Sequence, residues 1–347
     1  MNIDELFKIA VDKKASDLHI ITGMPPTLRI DGQLSPIKSA AKLTNKAAQD
    51  LLFPMLTQKQ KDIFMIQKEL DLSYQIKDGE RFRVNLHWEK ENIGMVARVI
   101  SSEIPTMEDI MMPKIAYDLL NMNQGLILVT GPTGCGKSTT LAAMVDYINK
   151  NRSANIITLE DPIEFIFKPI KSIIKQRQLH TDIISFSSAL VHVLRQDPNV
   201  IMVGEMRNLE TIAATITLAE TGHLVLGTLH THNAAQTIDR IIDIFPAHQQ
   251  QQIRLQVSMT LKAVISQQLI PKKDGNGRIA AREILLNNPA ISNLVRENKI
   301  AQIRTVIQTS ADEGMITMDQ DLINLFNQDL ISKESAQSHM LNPEFLR

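Results

Sequence analysis

The sequence predicts an α/β protein of two domains, a small α+β domain followed by a larger domain built on a parallel sheet. At 347 residues, the chain exceeds the usual size of a single domain. Its N-terminal part mixes helical stripes with short strands, whereas the later part alternates helices with apolar strand-length runs, which is typical of a parallel sheet. We therefore assign the domains to residues 1–100 and 114–347, joined by a polar linker at 101–113.

The small domain combines helical patterns with a largely antiparallel sheet. Apolar residues recur at helical spacing over 3–14, and Thr44 is a candidate N-cap for a helix over 44–56. The dipeptides Asp31-Gly32 and Asp78-Gly79 are hairpin signals. The predicted strands are 16–21, 27–30, 70–76, 81–90 and 93–100.

The large domain is predicted to begin with a parallel sheet and to end in a helical part. Its predicted strands are 126–130, 155–159, 200–204 and 223–229. From Pro246 onward the pattern is almost entirely helical. The exception is a predicted hairpin over 272–282, with its turn at Asp274-Gly275-Asn276-Gly277.

Composition limits the classes of function. A net charge of −1 and an aromatic content of 4% argue against a nucleic-acid partner. Cys135 is the only cysteine, so a disulfide within the chain and a Cys-rich zinc site are excluded, which fits a reducing compartment. The N-terminus lacks the regions of a signal peptide, and no apolar run approaches the ~20 residues of a membrane span. We expect a cytoplasmic protein that reaches a membrane only through partners.

A phosphate-binding loop (P-loop) is the most informative motif. An apolar strand leads into G-x-x-x-x-G-K-S at 131–138, and a helical pattern follows over 139–149. Backbone N–H groups of such a loop surround phosphate oxygens, Lys137 reaches the β- and γ-phosphates, and Ser138 offers its hydroxyl to Mg²⁺. The alternative, a glycine-rich turn before an ordinary helix, is disfavoured because chance seldom produces this string. The predicted nucleotide-binding residues are Gly131, Pro132, Thr133, Gly134, Cys135, Gly136, Lys137, Ser138 and Thr139.

Carboxylates end two of the predicted parallel strands. Glu205 follows the strand at 200–204, and Glu160 and Asp161 follow that at 155–159. Because functional groups of parallel sheets gather at the carboxyl ends of strands, Glu205 is well placed to orient or deprotonate the attacking water. Glu160 or Asp161 could hold Mg²⁺ directly or through water, or bias the catalytic water. Spacing does not separate these two roles, and solvated carboxylates at strand ends are the alternative.

Histidines and arginines are further candidates. His230 ends the strand at 223–229 and can approach the γ-phosphate, whereas His223 begins that strand and favours a structural or interface role. The nearby His232 leaves the assignment open. Three arginines on neighbouring strands of the small domain have the bidentate geometry that suits phosphate, although spacing alone favours a solvent-exposed basic face. They are Arg81, Arg83 and Arg98.

Together these motifs resemble the secretion ATPase superfamily, and within it the motors of type IV pilus retraction. Residues 160–164 are similar to the aspartate box of that family, 203–207 to its Walker B motif and 221–231 to its histidine box. The run 15–19, ASDLH, is similar to its N-terminal signature. The resemblance extends over essentially the whole chain, and four motifs in order make it specific.

The resemblance implies a PAS-like N-terminal domain and a RecA-like P-loop ATPase domain with a helical C-terminal part. It implies a homohexamer that binds ATP and Mg²⁺ between subunits and rotates its domains on hydrolysis. The implied partners are an inner-membrane pilus platform protein and a paralogous retraction ATPase. The ring would then act at the cytoplasmic face of the inner membrane, disassemble pilin and support twitching motility.

The same resemblance implies roles for the candidate residues. Glu205 becomes the general base and Glu160 a catalytic or metal-side carboxylate. His223 and His230 fall on histidine-box positions. The arginines named above fall in the region that supplies guanidinium groups to a nucleotide in trans.

Two departures from the family pattern leave alternatives open. Ser292 stands where the retraction motif at 290–297 has arginine, which leaves room for the accessory retraction ATPase or another assembly or secretion ATPase. Cys135 stands where serine is usual; beside Lys137 and inward-pointing amides it should favour thiolate and react with alkylating agents. An alternative of a different class is a nucleotide-gated regulatory protein with negligible turnover.

Overall fold

The computed structural model describes residues 1–30, 32–77, 79–100 and 103–346. Asp31 and Asp78, which belong to the two predicted hairpin signals, lie outside the described residues, as do positions 101 and 102 of the predicted linker. The chain forms two compact units. Unit one comprises Met1–Glu103 and Glu164–Ile166, and unit two comprises Ile104–Ile163 and Phe167–Arg347.

Unit one is a six-stranded antiparallel sheet with three helices. The strands run in the order β3-β2-β1-β6-β5-β4. The helices are α1 (Ile3–Asp12), α2 (Asn45–Leu52) and α3 (Gln58–Gln67). The strands are β1 (Asp17–Ile20), β2 (Thr27–Ile30), β3 (Gln33–Pro36), β4 (Glu69–Gln75), β5 (Arg81–Glu89) and β6 (Asn92–Ile100).

Alternation along the strands decides which face of this sheet is buried. On β5, Phe82, Val84 and Leu86 are buried, whereas the residues between them point to the opposite, more exposed face. The ring of Phe7 on α1 stacks on Phe82 with a centroid distance of 4.1 Å. Helix α1 therefore packs its apolar stripe on the core face, and Arg83 is left on the polar face.

Unit two is built on a seven-stranded sheet of order β13-β12-β7-β11-β10-β8-β9. All neighbouring pairs are parallel except β12 and β13. The strands are β7 (Gly125–Thr130), β8 (Asn155–Glu160), β9 (Ile173–Gln178), β10 (Val200–Val203), β11 (Leu224–Leu229), β12 (Leu261–Pro271) and β13 (Arg278–Leu286).

Ten helices accompany this sheet in the described part of unit two. Among these residues, no helix is both long and apolar enough to cross a bilayer. The helices are α4 (Lys114–Leu120), α5 (Lys137–Asn151), α6 (Phe186–Val193), α7 (Leu209–Glu220), α8 (Ala234–Asp243), α9 (Ala247–Thr260), α10 (Pro289–Arg296), α11 (Ile303–Thr309), α12 (Met318–Asn327) and α13 (Lys333–His339).

The predicted α/β class is confirmed, and so are the four predicted strands of the parallel sheet. Every residue of β7, β10 and β11 is buried, which is why these strands appear in the sequence as continuous apolar runs. The carboxyl ends of β7, β11, β10 and β8 lie along one edge of the sheet. This edge carries the P-loop and the acidic strand ends.

The prediction of an almost entirely helical region after Pro246 is wrong for β12 and β13. The predicted hairpin at 272–282 includes the turn but not most of either strand. Every residue of β12 from Leu261 to Ile270 is buried or half-buried, but four polar residues interrupt its apolar pattern, and such a mixed segment does not by itself distinguish a strand from a helix. The strand forms because β7 offers it a parallel partner.

Candidate nucleotide-binding and hydrolysis site

The P-loop adopts a backbone that only glycine accommodates readily. The φ angles of Gly131, Gly134 and Gly136 are +143°, +77° and +89°. A Cβ atom on Gly131 would lie 2.3 Å from the main-chain oxygen of Gln267 and 2.6 Å from the Sγ atom of Cys135. Backbone conformation therefore explains all three glycines, and lack of space is a second reason at Gly131.

Lys137 and Ser138 begin helix α5, directly after the loop. The Nζ atom of Lys137 donates hydrogen bonds to the carbonyl oxygens of Gly131 at 2.8 Å and of Pro132 at 3.0 Å. Ser138 and Thr139 are half-buried in the first helical turn, and the loop tip at 132–134 is exposed. The helix N-terminus and the ammonium group thus put positive charge where phosphates would bind.

Gln267 on β12 braces the P-loop from the neighbouring strand. Its Nε2 atom donates to the carbonyl oxygen of Cys135 at 2.7 Å, and its Oε1 atom accepts from Thr140 Oγ1 on α5 at 3.0 Å. The side chain is buried, with 1% of its surface exposed. Nothing in the local sequence marks this residue, because only the pairing of β12 with β7 brings it beside the loop.

Cys135 is not an activated thiol, so the prediction that it favours thiolate is wrong. Burial raises its pKa, and this effect outweighs the opposing influence of Lys137 and the nearby backbone N–H groups. Only 3% of the residue is exposed. The local sequence shows the positive neighbours of the thiol but does not show how far the fold removes it from water.

Glu205 lies at the carboxyl end of β10 within a group of charged side chains. Its Oε2 atom accepts a hydrogen bond from Nη2 of Arg207 at 2.7 Å, and its Oε1 atom lies 2.7 Å from Nε of the same guanidinium group. The Nε2 atom of His230 lies 3.3 Å from Glu205 Oε1. The parallel pairing of β10 with β11 therefore brings these two side chains together.

A polar cleft of about 620 Å³ opens beside Glu205. It is lined by the Glu205–Arg207 loop, by residues 229–231 and by the outer face of α8, which includes Asp239 and Arg240. Burial alone would raise the pKa of Glu205, but the hydrogen bonds and positive charge of Arg207, together with His230, lower it overall. Glu205 is therefore ionised at neutral pH, as a base must be.

Glu160 and Asp161 lie farther along the same sheet edge. Glu160 is buried, and its Oε1 atom accepts hydrogen bonds from Thr158 Oγ1 at 2.6 Å and from Gln176 Nε2 at 3.1 Å. Strand β8 is three positions from β7, which corresponds to about 14 Å, whereas β10 is two positions away, or about 10 Å. This order places Glu205 nearer to the P-loop strand than Glu160. Asp161 is exposed.

The two candidate histidines lie at opposite ends of β11. His230 is at the P-loop edge, whereas His223 precedes the strand at the other edge, about 20 Å away. The Nδ1 atom of His223 lies 3.0 Å from the carbonyl oxygen of Leu218 and 3.2 Å from Thr221 Oγ1. His223 therefore lies apart from Glu205 and the P-loop within one chain.

The candidate arginines belong to unit one, on the polar face of its sheet. Arg83 on β5 lies directly opposite Arg98 on β6. Arg81 lies two residues before Arg83, on the same face of β5. The Nε atom of Arg98 donates to Asp17 Oδ1 at 2.9 Å. The buried carboxylate of Asp17, which belongs to the N-terminal signature at 15–19, thus offsets repulsion between the paired arginines.

The described residues include no group of three or more His, Cys, Asp or Glu side chains placed to hold a metal ion. Mg²⁺ that accompanies a nucleotide needs few protein ligands, because phosphate oxygens and water supply most of its coordination. A hydroxyl such as that of Ser138, on a helix that follows a P-loop, is a suitable ligand of this kind. The donor set therefore fits Mg²⁺ bound together with a nucleotide.

Fold and site together define a P-loop ATPase. Residues 1–325 match the T2SSE family, described as Type II/IV secretion system protein. The chain belongs to this family. The family assignment and the intact P-loop confirm the predictions of nucleotide binding and ATP hydrolysis.

Curated relatives match over nearly the full chain. The type IV pilus retraction ATPase PilT of Pseudomonas aeruginosa is 46% identical over 344 residues, 99% of either chain. A twitching motility protein of Neisseria gonorrhoeae is 46% identical over 319 residues, 92% of this chain and 85% of that one. The type IV pilus ATPase PilU of Pseudomonas aeruginosa is 38% identical over 347 residues, 100% of this chain and 91% of that one.

A solved structure extends the likeness to the fold. The crystal structure of the pilus retraction motor PilT with bound ADP superposes with a TM-score of 0.94 at 43% identity, covering 99% of this chain and 98% of that one. These matches confirm the resemblance to the motors of type IV pilus retraction.

Proposed function

We propose that this chain is the ATPase motor of type IV pilus retraction, acting as a homohexamer that hydrolyses ATP at its subunit interfaces. The observation that carries the proposal is an intact P-loop with Glu205 on the same sheet edge, in a chain that matches the retraction ATPase PilT from end to end. The torque would act on an inner-membrane platform protein, which places the ring at the cytoplasmic face of that membrane.

The chemistry needs an anchored phosphate chain, a base for water and positive charge for the transition state. Lys137 and the P-loop amides bind the β- and γ-phosphates, and Ser138 contributes its hydroxyl to Mg²⁺. Glu205 accepts the proton of the attacking water, and His230 beside it responds to loss of the γ-phosphate. Glu160 and Asp161 would act on Mg²⁺ through water, since their strand lies farther from the loop.

Arginines from a neighbouring subunit complete the proposed site. The guanidinium groups of Arg81, Arg83 and Arg98 share one polar sheet face, so a second copy of the chain could offer them to a nucleotide together. We propose an N-terminal domain at 1–100 and an ATPase domain at 114–347, and that hydrolysis drives their rotation. We place His223 at a structural or subunit-interface position.

The accessory retraction ATPase PilU is the second candidate, and Ser292 is the observation that favours it. Ser292 occupies the position at which the retraction motif has arginine, and its hydroxyl donates to the carbonyl oxygen of Ser258 at 2.7 Å. The lower identity to PilU, 38% against 46%, makes this candidate the weaker one.

Deletion of the gene, followed by microscopy of surface pili, tests the cellular function. Excess filaments that no longer retract are expected, whereas bald cells would indicate an assembly motor. Complementation separates the two retraction candidates. A chain that restores retraction in cells lacking both paralogues is the primary motor, and one that needs the other ATPase is the accessory.

Purified protein tests the enzymatic part separately. Glu205→Gln should keep ATP binding and lose turnover by about 100-fold or more, because general base catalysis contributes that much. Wild-type protein that binds ATP but never hydrolyses it, even as assembled rings, would instead indicate a nucleotide-gated regulatory protein.

A further inference from the structure

Arg207 has no role in the site described so far, although its side chain contacts the proposed base. It lies two residues after Glu205, on the loop that follows β10. Its Nη2 atom donates to Oε2 of Glu205 at 2.7 Å, and its Nε atom lies 2.7 Å from Oε1 in the same ion pair. Arg207 therefore contacts both carboxylate oxygens, through one hydrogen bond and one close charge contact.

This pairing restricts what Glu205 can do for a water molecule. A base must present an oxygen lone pair toward the proton that it removes. Here both oxygens face Arg207, and Oε1 also has His230 Nε2 at 3.3 Å. At least one of the two contacts with the guanidinium group must open before Glu205 can turn a lone pair toward water in its most basic direction.

The backbone on either side of Glu205 is fixed, so the change must occur in the side chains. The N–H group of Met206 donates to the carbonyl oxygen of Thr228 at 3.1 Å, and Thr228 Oγ1 donates back to the carbonyl oxygen of Gly204. Met206 itself is buried. The Arg207 side chain, by contrast, is 67% exposed and can swing into solvent.

We propose that Arg207 is a positioning residue that holds Glu205 away from the attacking water, so that hydrolysis requires this ion pair to open. The proposal rests on the proposed role of Glu205 as the base. The carboxylate remains ionised and in place while Arg207 holds it, and release needs no movement of the main chain.

The effect on the rate should be modest because the pair is exposed. Exposed ion pairs are weak, so their loss changes an equilibrium by about fivefold at most. We therefore expect Arg207→Gln in the full-length assembled protein to raise kcat for ATP by about two- to fivefold. The KM for Mg·ATP should stay within about twofold, since Arg207 would not contact the substrate.

Two further variants make the test specific. Arg207→Lys keeps the charge but lacks the planar group that contacts both carboxylate oxygens, so its kcat should lie between those of wild type and Arg207→Gln. Arg278→Gln removes an exposed guanidinium at the start of β13 and should leave kcat unchanged. The double variant Glu205→Gln/Arg207→Gln should be as inactive as Glu205→Gln alone.

Each alternative result contradicts the proposal in a different way. A fall in kcat for Arg207→Gln would mean that Arg207 supports the reacting geometry, and a raised KM would mean that it contacts ATP. If Arg207→Gln does not raise kcat while Glu205→Gln abolishes turnover, only the holding role is overturned. If Glu205→Gln retains wild-type turnover, the base assignment falls, and this proposal falls with it. A crystal structure with Mg²⁺ and a non-hydrolysable ATP analogue adds a readout besides the rate. If Arg207 still contacts both carboxylate oxygens of Glu205 in that structure, the holding role is also overturned.

Discussion

The side-chain amide of Gln267 donates a hydrogen bond of 2.7 Å to the main-chain oxygen of Cys135. The bond joins β12 to the P-loop, and the Oε1 atom of the same side chain accepts from Thr140 on α5. One buried glutamine thus fixes the loop against both the sheet and the helix that follows it. The loop is prepared for phosphate by a residue far from it in sequence.

Replacing Gln267 should weaken both stability and nucleotide binding. Gln267→Leu leaves the Cys135 carbonyl and the Thr140 hydroxyl without their buried partner, which should cost about 1–3 kcal/mol of unfolding free energy. We also expect weaker ADP binding, since the loop loses its brace. Denaturant titration and calorimetry measure the two effects. Gln268→Leu is the matched control because successive residues of a strand point to opposite faces; equal effects of the two variants would contradict this role.

Gly131→Ala should weaken nucleotide binding. The added Cβ atom would lie 2.3 Å from the Gln267 carbonyl oxygen, so the loop or β12 must move. Since the loop amides would lose their arrangement, we expect ADP affinity to fall by about tenfold or more. Gly275→Ala is the control, because its φ is also positive, at +74°, but nothing lies within 4 Å of its Cβ position. Normal ADP binding by Gly131→Ala in calorimetry would show that the close approach is unimportant.

Cys135 should react slowly with alkylating agents in the native protein. Burial raises its pKa and limits access, so iodoacetamide labelling at pH 8 should be at least about tenfold slower than in urea. Mass spectrometry of timed samples measures both rates on the single thiol, with the unfolded protein as the reference. Cys135→Ser should retain ADP affinity, because the loop binds phosphate through its backbone. Rapid native labelling would restore the idea of an activated thiolate.

Glu283 should make the protein less stable as pH rises. Burial raises its pKa despite the hydrogen bond that its Oε1 atom accepts from the Ala234 N–H group at 2.8 Å and the nearby Arg304. The native state therefore binds this proton more tightly than the unfolded state, so the contribution of Glu283 to stability falls as pH rises from the unfolded pKa through the higher native pKa.

Glu283→Gln removes the buried charge and keeps an oxygen for Ala234. Its melting temperature should exceed that of wild type at pH 8, and the difference should shrink at pH 5 as Glu283 becomes protonated. Glu69→Gln, at an exposed position on β4, should show no such trend. If the difference in melting temperature between Glu283→Gln and wild type stays constant or grows toward acid pH, the proposed effect of Glu283 on stability is wrong.

Much of the fold follows from local patterns. The side chain of Thr44 caps α2 as predicted, and the strands at the centre of the parallel sheet are apolar throughout. The helix α3 was missed because Phe64 is its only buried residue, so no apolar stripe marks it. The edge strand β9 was missed for a related reason, since its residues are mostly half-exposed and mixed in character.

The candidate site likewise combines features that local sequence patterns show with features that only the fold produces. Phosphate chemistry constrains neighbouring residues, so the P-loop can be recognised from one short segment. The separation of His223 from His230 likewise follows from the predicted strand that they flank. The brace from Gln267 depends on strand order, and the ion pair of Arg207 with Glu205 depends on side-chain direction. A single sequence does not specify either of these.

The sequence alone predicted that this chain binds a nucleotide through residues 131–139 and that carboxylates end its parallel strands. These features are local, because a phosphate-binding loop needs closely spaced glycines and amides, and a buried strand needs consecutive apolar residues. Only the tertiary structure decided which of those groups meet, how far Cys135 is removed from water, and that Arg207 contacts Glu205. Such properties arise from desolvation, from contacts between distant segments and from side-chain directions, and they come into being only when the chain folds.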